Sequence, residues 1–422
     1  MSNMSKNFAR LSGGRLGTVA AATLLAALAA PQIPAAAAEH PDRPAAPKAM
    51  KDAAAANAAK VAKAAAAAAA AARTPKSTPP EVPAATVGQP IGEKTLRLVD
   101  TSRTDPWKPS AGKRELMVSV WYPAKPGRGT TAPYVSAALS KALYGNTKLS
   151  TVRTHAVVDA VPAPGKARPL VVLSPAFGQS RTSLTSVAEE LASRGYVVAG
   201  VDHTYEAAVE FPGGRIEQCA ICEPGKQDNG AVVRNRAKDL RFVLDRVTGS
   251  SPVPGLRIDR TRIGVAGHST GGASAIEVLG QDARVAAAAD MDGDFFTKPP
   301  AGGIKKPVLL LGGARAGDLN GPYDTWSPAW KRMTGWKRWL DVGKGGHMTF
   351  TDMPWLADQV GLPEGMPPEE AAGAFGTVPS KRSNAFTRAY LVTFFDKHLR
   401  NVPGKLLDGP SAQFPEVAFL KK

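Results

Sequence analysis

The chain has 422 residues, 43% hydrophobic and 21% charged, with a formal net charge of +17 and only two cysteines. Its length allows one large α/β domain with tails or two domains, and two cysteines supply only half of a four-ligand zinc site. The cationic balance favours contact with anionic envelope polymers or lipid headgroups, whereas no recognisable nucleic-acid-binding module accompanies it.

Met1 to Ala38 has the layout of a secretory signal. It has a basic start at Lys6, Arg10 and Arg15, an apolar core from Leu16 to Ala30 and a small-residue end at Ala36-Ala37-Ala38. The apolar core, about 15 residues, is shorter than the roughly 20 that a spanning helix needs. No twin arginine precedes the core, which points to the general export route. Residues 39–90 are low-complexity, rich in Ala, Pro and Lys, and read as a partly helical spacer without core residues. Residues 1–90 carry ten Lys and Arg against four Asp and Glu, a net of +6, leaving +11 on the remainder. This shift in composition sets the expected organisation as signal 1–38, spacer 39–90 and one catalytic domain 91–422.

From residue 91 onward, strands are expected at Thr95 to Val99 and Glu115 to Tyr122, separated by the turn Asp105-Pro106-Trp107-Lys108-Pro109. Pro169 to Ser174 is a continuous apolar run suited to a strand covered on both faces. A helix from Ser183 to Arg194 ends at Gly195, and Tyr196 to Val201 starts the next strand. A long irregular segment then runs to about Gly230 and holds Cys219 and Cys222 in a Gly/Pro-rich loop. In an exported protein this C-x-x-C is expected to be a local disulfide. Ala231 to Val247 is amphipathic. Further strands are expected at Arg262 to Gly267, Val285 to Met291, Pro307 to Leu311 and Trp336 to Val342. A last helix presents Ala385, Ala389, Val392, Phe395 and Leu399 on one face. Strands alternating with helices predict an α/β fold, a mostly parallel central sheet with helices on both faces.

The chemistry gathers at Gly267-His268-Ser269-Thr270-Gly271, a G-x-S-x-G that follows a strand and opens a helix. A serine hydroxyl is a weak nucleophile and must be lifted clear of the backbone to reach both a base and a carbonyl carbon. A sharp strand-to-helix turn does this, and small residues on either side let strand and helix close around it. In the α/β-hydrolase fold that this elbow marks, the acid and then the base follow the nucleophile in the chain. Of six histidines only His347 and His398 lie downstream of Ser269. His398 sits beside Lys397 and Arg400 on the last helix, where a solvated role is expected. His347 follows the flexible Gly343-Lys344-Gly345-Gly346, which suits a base delivered on a loop. His268 is expected to point away from the reacting centre. For the acid, position alone leaves Asp292 and Asp318 level, with Asp290 and Asp294 facing away. The oxyanion donors are expected to be the backbone N–H groups of Thr270 and Phe177.

Several blocks together resemble the platelet-activating factor acetylhydrolase family. They are Leu173-Ser174-Pro175-Ala176-Phe177-Gly178, Asp202-His203 with Tyr205-Glu206, the elbow, Met291-Asp292-Gly293 and Gly346-His347-Met348-Thr349-Phe350-Thr351-Asp352. Asp105-Pro106-Trp107 and the stretch from Arg114 to Pro123 extend the likeness upstream. The resemblance covers about residues 95 to 400. It implies an α/β-hydrolase with a calcium-independent Ser-Asp-His triad that releases short or oxidised acyl chains from phospholipids. It makes Ser269 the nucleophile, His347 the base and Asp292, rather than Asp318, the acid. Many family members carry His-Gly where this chain has Pro175-Ala176, and proline has no N–H to offer the oxyanion. The resulting expectation is a secreted serine ester hydrolase with no metal or organic cofactor. It would act on a small-molecule or lipid ester, with peripheral contact to an anionic surface and no nucleic acid. The alternatives are a lipase or polyester (cutinase-like) hydrolase, and an envelope-binding protein that keeps the fold without turnover.

Overall fold

A computed structural model describes residues 79–421 except 224, 250, 252, 299, 315–323 and 362–365. The expected signal and most of the spacer therefore lie outside the described residues, as does Asp318. Two long strands, β1 (Ile91–Thr104) and β2 (Lys113–Pro123), pair antiparallel at the start of the domain. The short β3 (Thr131–Pro133) and β4 (Arg153–Val158) extend that edge. The interior strands are β5 (Arg168–Ser174) and β6 (Val197–His203). A small hairpin of β7 (Val209–Phe211) and β8 (Arg215–Glu217) stands apart from the main sheet. The nucleophile strand β9 (Ile258–His268) is followed by β10 (Val285–Met291), β11 (Val308–Gly313) and β12 (Lys337–Val342). Last comes the short β13 (Ala418–Lys421). The large sheet has eleven strands in the order β13-β12-β11-β10-β9-β5-β6-β2-β1-β4-β3. Its centre, from β12 to β6, is parallel throughout, and antiparallel strands flank it on both sides.

The apolar run in β5 shows why the centre is parallel and doubly covered. Side chains alternate across a strand, so Val171 and Leu173 enter one core while Leu170 and Val172 enter the other. The first core is closed by the helices Thr185–Ser193 and Ser380–Arg400, the second by Asn229–Gly249 and Thr270–Gln281. Each large apolar side chain buried in this way contributes about 1.5–3 kcal/mol. Gly264 in β9 lets the last helix approach, since a Cβ there would lie 2.4 Å from the Phe395 ring. That helix is buried over a wider face than the predicted stripe, with Phe386, Tyr390, Leu391 and Phe394 inside and Ala385 and Ala389 at the margin.

The domain begins earlier than residue 91. Val82 is fully buried, and Glu81 forms a parallel bridge with Arg153. Thr86 donates through its backbone N–H (2.8 Å) and its hydroxyl (2.5 Å) to Glu190. Arg388 donates to the Ala84 carbonyl at 2.7 Å. Low-complexity composition hid these contacts because they are made mostly by backbone groups and one valine. The segment after His203 also has more order than an irregular loop, with Ala207, Ala208, Val209 and Phe211 buried. Among the described residues, no helix is long and apolar enough to cross a membrane.

Because the central strands are parallel, the ends of β5, β6, β9, β10, β11 and β12 share one edge of the sheet. Ser174, His203, His268, Met291, Gly313 and Val342 therefore launch their loops into the same region, where open α/β sheets place ligands.

Candidate active site

The elbow is sterically obligatory. Ser269 sits between β9 and the helix Thr270–Gln281 with φ 55° and ψ −127°, a conformation that costs about 1–3 kcal/mol for a residue with a side chain. A Cβ on Gly267 would come within 2.3 Å of the Gly271 backbone, and one on Gly271 within 2.1 Å of the Ser174 carbonyl oxygen. The two glycines therefore let the helix start directly against both β9 and the end of β5. The Ser269 N–H is tied to the Met291 carbonyl at 2.8 Å, which locks the turn to the neighbouring strand.

Three residues from three loops meet here. His347 Nε2 lies 2.9 Å from Ser269 Oγ, and His347 Nδ1 lies 2.7 Å from Asp292 Oδ2. A carboxylate can only accept, so Nδ1 carries the proton and Nε2 is left to accept from the serine. Asp292 also occupies a left-handed position, φ 58°, directly after β10. Its N–H donates to the Leu311 carbonyl and its Oδ1 accepts from the Gly313 N–H, each at 2.8 Å. These bonds to β11 aim the carboxylate along the sheet edge. Asp290 turns the other way and accepts from Gly293 N–H at 2.9 Å, bracing the turn, while Asp294 accepts from Thr325 at 3.2 Å. His347 itself opens a single 3₁₀ turn, His347–Phe350, anchored two residues further on by the buried Asp352. The Asp352 N–H donates to the Ser183 carbonyl at 2.9 Å, and its carboxyl binds Ser186. Burial pushes that carboxyl up to about 7.

Two histidines depart from expectation. His268 does not turn away from the site; its Nε2 lies 2.6 Å from the His347 carbonyl oxygen, and the two rings are 4.8 Å apart. Burial lowers His268 to about 3, so it stays neutral and donates from Nε2. It therefore holds the backbone of His347. The residue before an elbow serine is flanked by two close-packed elements, and that crowding is the signal for such a contact. His398 is half-buried rather than solvated. It packs 4.4 Å from the Trp336 ring and 5.0 Å from Phe394, and burial lowers it to about 4.

The expected oxyanion donors belong to two different elements. Thr270 is the first residue of the helix, and Phe177 lies on the loop after β5. Among the described residues, neither backbone N–H has a hydrogen-bond acceptor. Cys219 and Cys222 are joined by a disulfide. Their loop rests on the segment after β6 through the Ala220 N–H to the Tyr205 carbonyl, 2.9 Å. Among the described residues, no cluster of His, Cys, Asp and Glu is arranged to hold a metal ion.

Two family models match the chain: one described as PET hydrolase-like over residues 160–354, the other as platelet-activating factor acetylhydrolase, isoform II, over residues 108–211. A probable 1-alkyl-2-acetylglycerophosphocholine esterase of Arthroderma benhamiae is 32% identical over 265 residues, 60% of this chain and 66% of that protein. The platelet-activating factor acetylhydrolase of Cavia porcellus is 26% identical over 180 residues, 35% of this chain and 38% of that one. The matches thus span just under two thirds of the fungal relative and well under half of the mammalian one. A solved structure, the ferulic acid esterase from Streptomyces cinnamoneus, is 61% identical with a TM-score of 0.78, covering 82% of this chain and all of that one. The chain belongs to the platelet-activating factor acetylhydrolase-like family of α/β-hydrolases.

In this member of the family, the residues that carried the resemblance but had no assigned role converge beneath the Phe177 loop. Asp105, Arg114, His203 and Glu206 are buried there together with Arg236 and Asp239. Arg236 and Asp239 were not legible in the sequence because charged residues of an amphipathic helix look like its solvent side, whereas both are buried on the same face as Val232, Leu240 and Val243.

Proposed function

We propose that this protein is an exported serine ester hydrolase that works through an acyl-enzyme on small carboxylic esters. The observation that carries the reading is the continuous chain from Ser269 Oγ through the His347 ring to Asp292, held by Gly313. His347 Nε2 takes the Ser269 proton as Oγ attacks the ester carbonyl, and Asp292 steadies the imidazolium that forms. The N–H groups of Phe177 and Thr270 receive the oxyanion, an interaction worth on the order of 10²–10³ in rate for each donor. His347 passes the proton to the leaving alcohol, then deprotonates the water that clears the acyl group from Ser269.

Two acyl classes are supported by the relatives. The fungal and mammalian proteins favour short acyl chains on phospholipid-like esters. The 61% identity to the Streptomyces enzyme favours hydroxycinnamoyl esters such as feruloyl esters, and is the stronger pointer. Export rests on the basic and apolar pattern of Met1 to Ala38. The test is fluorophosphonate labelling of the purified protein with peptide mapping, followed by hydrolysis of p-nitrophenyl esters, methyl ferulate and a short-chain glycerophospholipid. Labelling at Ser269 that is lost in Ser269→Ala, together with turnover of at least one ester class, is the expected result. A Ser269→Ala protein that retains full turnover would sink the reading.

A further inference from the structure

Phe177 is one of two proposed oxyanion donors, yet the loop that carries it begins with Pro175, which lacks an N–H. What directs the Phe177 N–H must therefore act on the carbonyl side of the loop. Arg236, 1% exposed, lies directly under it. One of its terminal nitrogens, Nη1, donates to the Pro175 carbonyl, and the other, Nη2, is 3.5 Å from the Ala176 carbonyl. Carbonyl and amide hydrogen of a trans peptide point in opposite directions. Drawing the Ala176 carbonyl toward Arg236 therefore turns the N–H of the same peptide unit, that of Phe177, away from it. The Gln179 N–H adds a second bond to the Ala176 carbonyl at 3.2 Å.

The guanidinium is itself held in place. Glu206 Oε2 accepts from Arg236 Nε at 2.6 Å, while Glu206 Oε1 accepts from the Trp107 indole at 2.9 Å. The Glu206 backbone carbonyl accepts from Gly178 N–H at 3.0 Å, so one residue grips both the arginine and the far end of the loop. Behind it, Arg114 donates to Asp105 at 2.9 Å, to the Thr204 carbonyl at 2.7 Å and to Asp239 at 2.6 Å. His203 spans from Asp239 to the Ser174 hydroxyl, 2.9 Å on each side. Burial and the neighbouring Arg236 keep His203 below its ordinary pKa. The neutral ring donates from Nδ1 to Asp239 and accepts at Nε2 from Ser174.

We propose that Arg236, anchored by Glu206, is the positioning residue that sets the oxyanion donor of Phe177, with the Asp105–Arg114–Asp239–His203–Ser174 chain as its buried support. The inference rests on the catalytic reading above. It accounts for a loop with no N–H at position 175, and for seven charged or polar side chains held in the interior. Buried charges of this kind are costly unless fully paired, and bring little stability compared with apolar packing.

The test compares wild type with Arg236→Lys and Glu206→Gln. Lysine keeps the cation beside Glu206, but its compact ammonium cannot copy the planar fork that spans two carbonyls. For Arg236→Lys, kcat on p-nitrophenyl acetate is expected to fall about 10- to 100-fold with KM within about threefold, because the loss lies in transition-state binding. The inhibition constant of phenylboronic acid, which forms a tetrahedral adduct on the serine, is expected to rise by a similar factor. Glu206→Gln, which loosens the anchor without removing the arginine, is expected to show the same pattern at about 3- to 10-fold. Should Arg236→Lys not fold, the Glu206→Gln result decides. A folded variant with kcat within threefold of wild type, or with its defect confined to KM or melting temperature, overturns the proposal. Fluorophosphonate labelling of wild type at Ser269 separates this outcome from failure of the catalytic reading, which would appear as an unlabelled wild-type serine.

Discussion

Replacing Asp292 by asparagine changes one atom and, by the geometry here, changes which nitrogen of His347 carries the proton. Asp292 Oδ1 accepts from the Gly313 N–H while Oδ2 accepts from His347 Nδ1. In Asp292→Asn the side-chain oxygen is retained by Gly313, because turning the NH₂ toward that amide would set two donors against each other. The NH₂ then faces Nδ1, which must accept, and the imidazole proton moves to Nε2. A protonated Nε2 cannot take the Ser269 proton. Loss of the correct tautomer costs about 10³–10⁴ in kcat, or about 4–5.5 kcal/mol at 1.36 kcal/mol per tenfold. The shape of the side chain is unchanged, so melting is expected to move by only a few degrees. The assay is kcat on p-nitrophenyl acetate, with active serine counted by exhaustive fluorophosphonate labelling and folding checked by calorimetry. A folded Asp292→Asn protein within tenfold of wild type, set beside an Asp318→Asn protein that is nearly inactive, would refute the assignment.

Three further outcomes follow from the packing. Removing residues 1–78 is expected to leave kcat/KM on a soluble short ester within about threefold, whereas removing 1–90 also takes the buried Val82 and the Thr86–Glu190 bonds and is expected to lower the melting temperature clearly. Equal melting of the two truncations would return the boundary to residue 91. Cys219→Ser/Cys222→Ser closes no long loop and is expected to shift melting by only a few degrees while altering KM or chain-length preference, because the bridged loop leans on Tyr205 beside the Glu206 anchor. A large melting loss with unchanged selectivity would make that loop structural. Asp352 is raised to about 7 in the fold from 3.8, so the folded state holds a proton that the unfolded chain releases. Its contribution is fully present below about pH 4 and is lost as pH rises through about 7. Asp352→Asn is therefore expected to gain stability relative to wild type between about pH 4 and 7 in paired thermal melts. A constant or shrinking difference would contradict the raised value.

The local features of this protein were readable from its residues. A G-x-S-x-G between a strand and a helix needs only short-range sterics, and the Gly267 and Gly271 contacts show why no larger residue fits. The apolar run of β5 announced a strand covered on both faces, because two-residue alternation with no polar member leaves no face for water. His347 could be picked out by its order in the chain and by the glycine-rich turn before it. Choosing between Asp292 and Asp318 was not possible from spacing alone, since both follow strands on the same edge; the tertiary structure places the Asp292 carboxylate on His347, while Asp318 lies outside the described residues. The margin strands β3, β4 and β13 were also illegible, being short and stabilised by pairing rather than by pattern. The buried charges were the least readable part. Arg114 meets Asp239 across 125 positions of sequence, and Arg236 meets the Pro175 carbonyl across 61. A charged residue in a sequence looks like surface by default, because burying it is tolerable only when opposite charges and carbonyls converge on it from distant strands and helices. That convergence is a property of the folded chain alone.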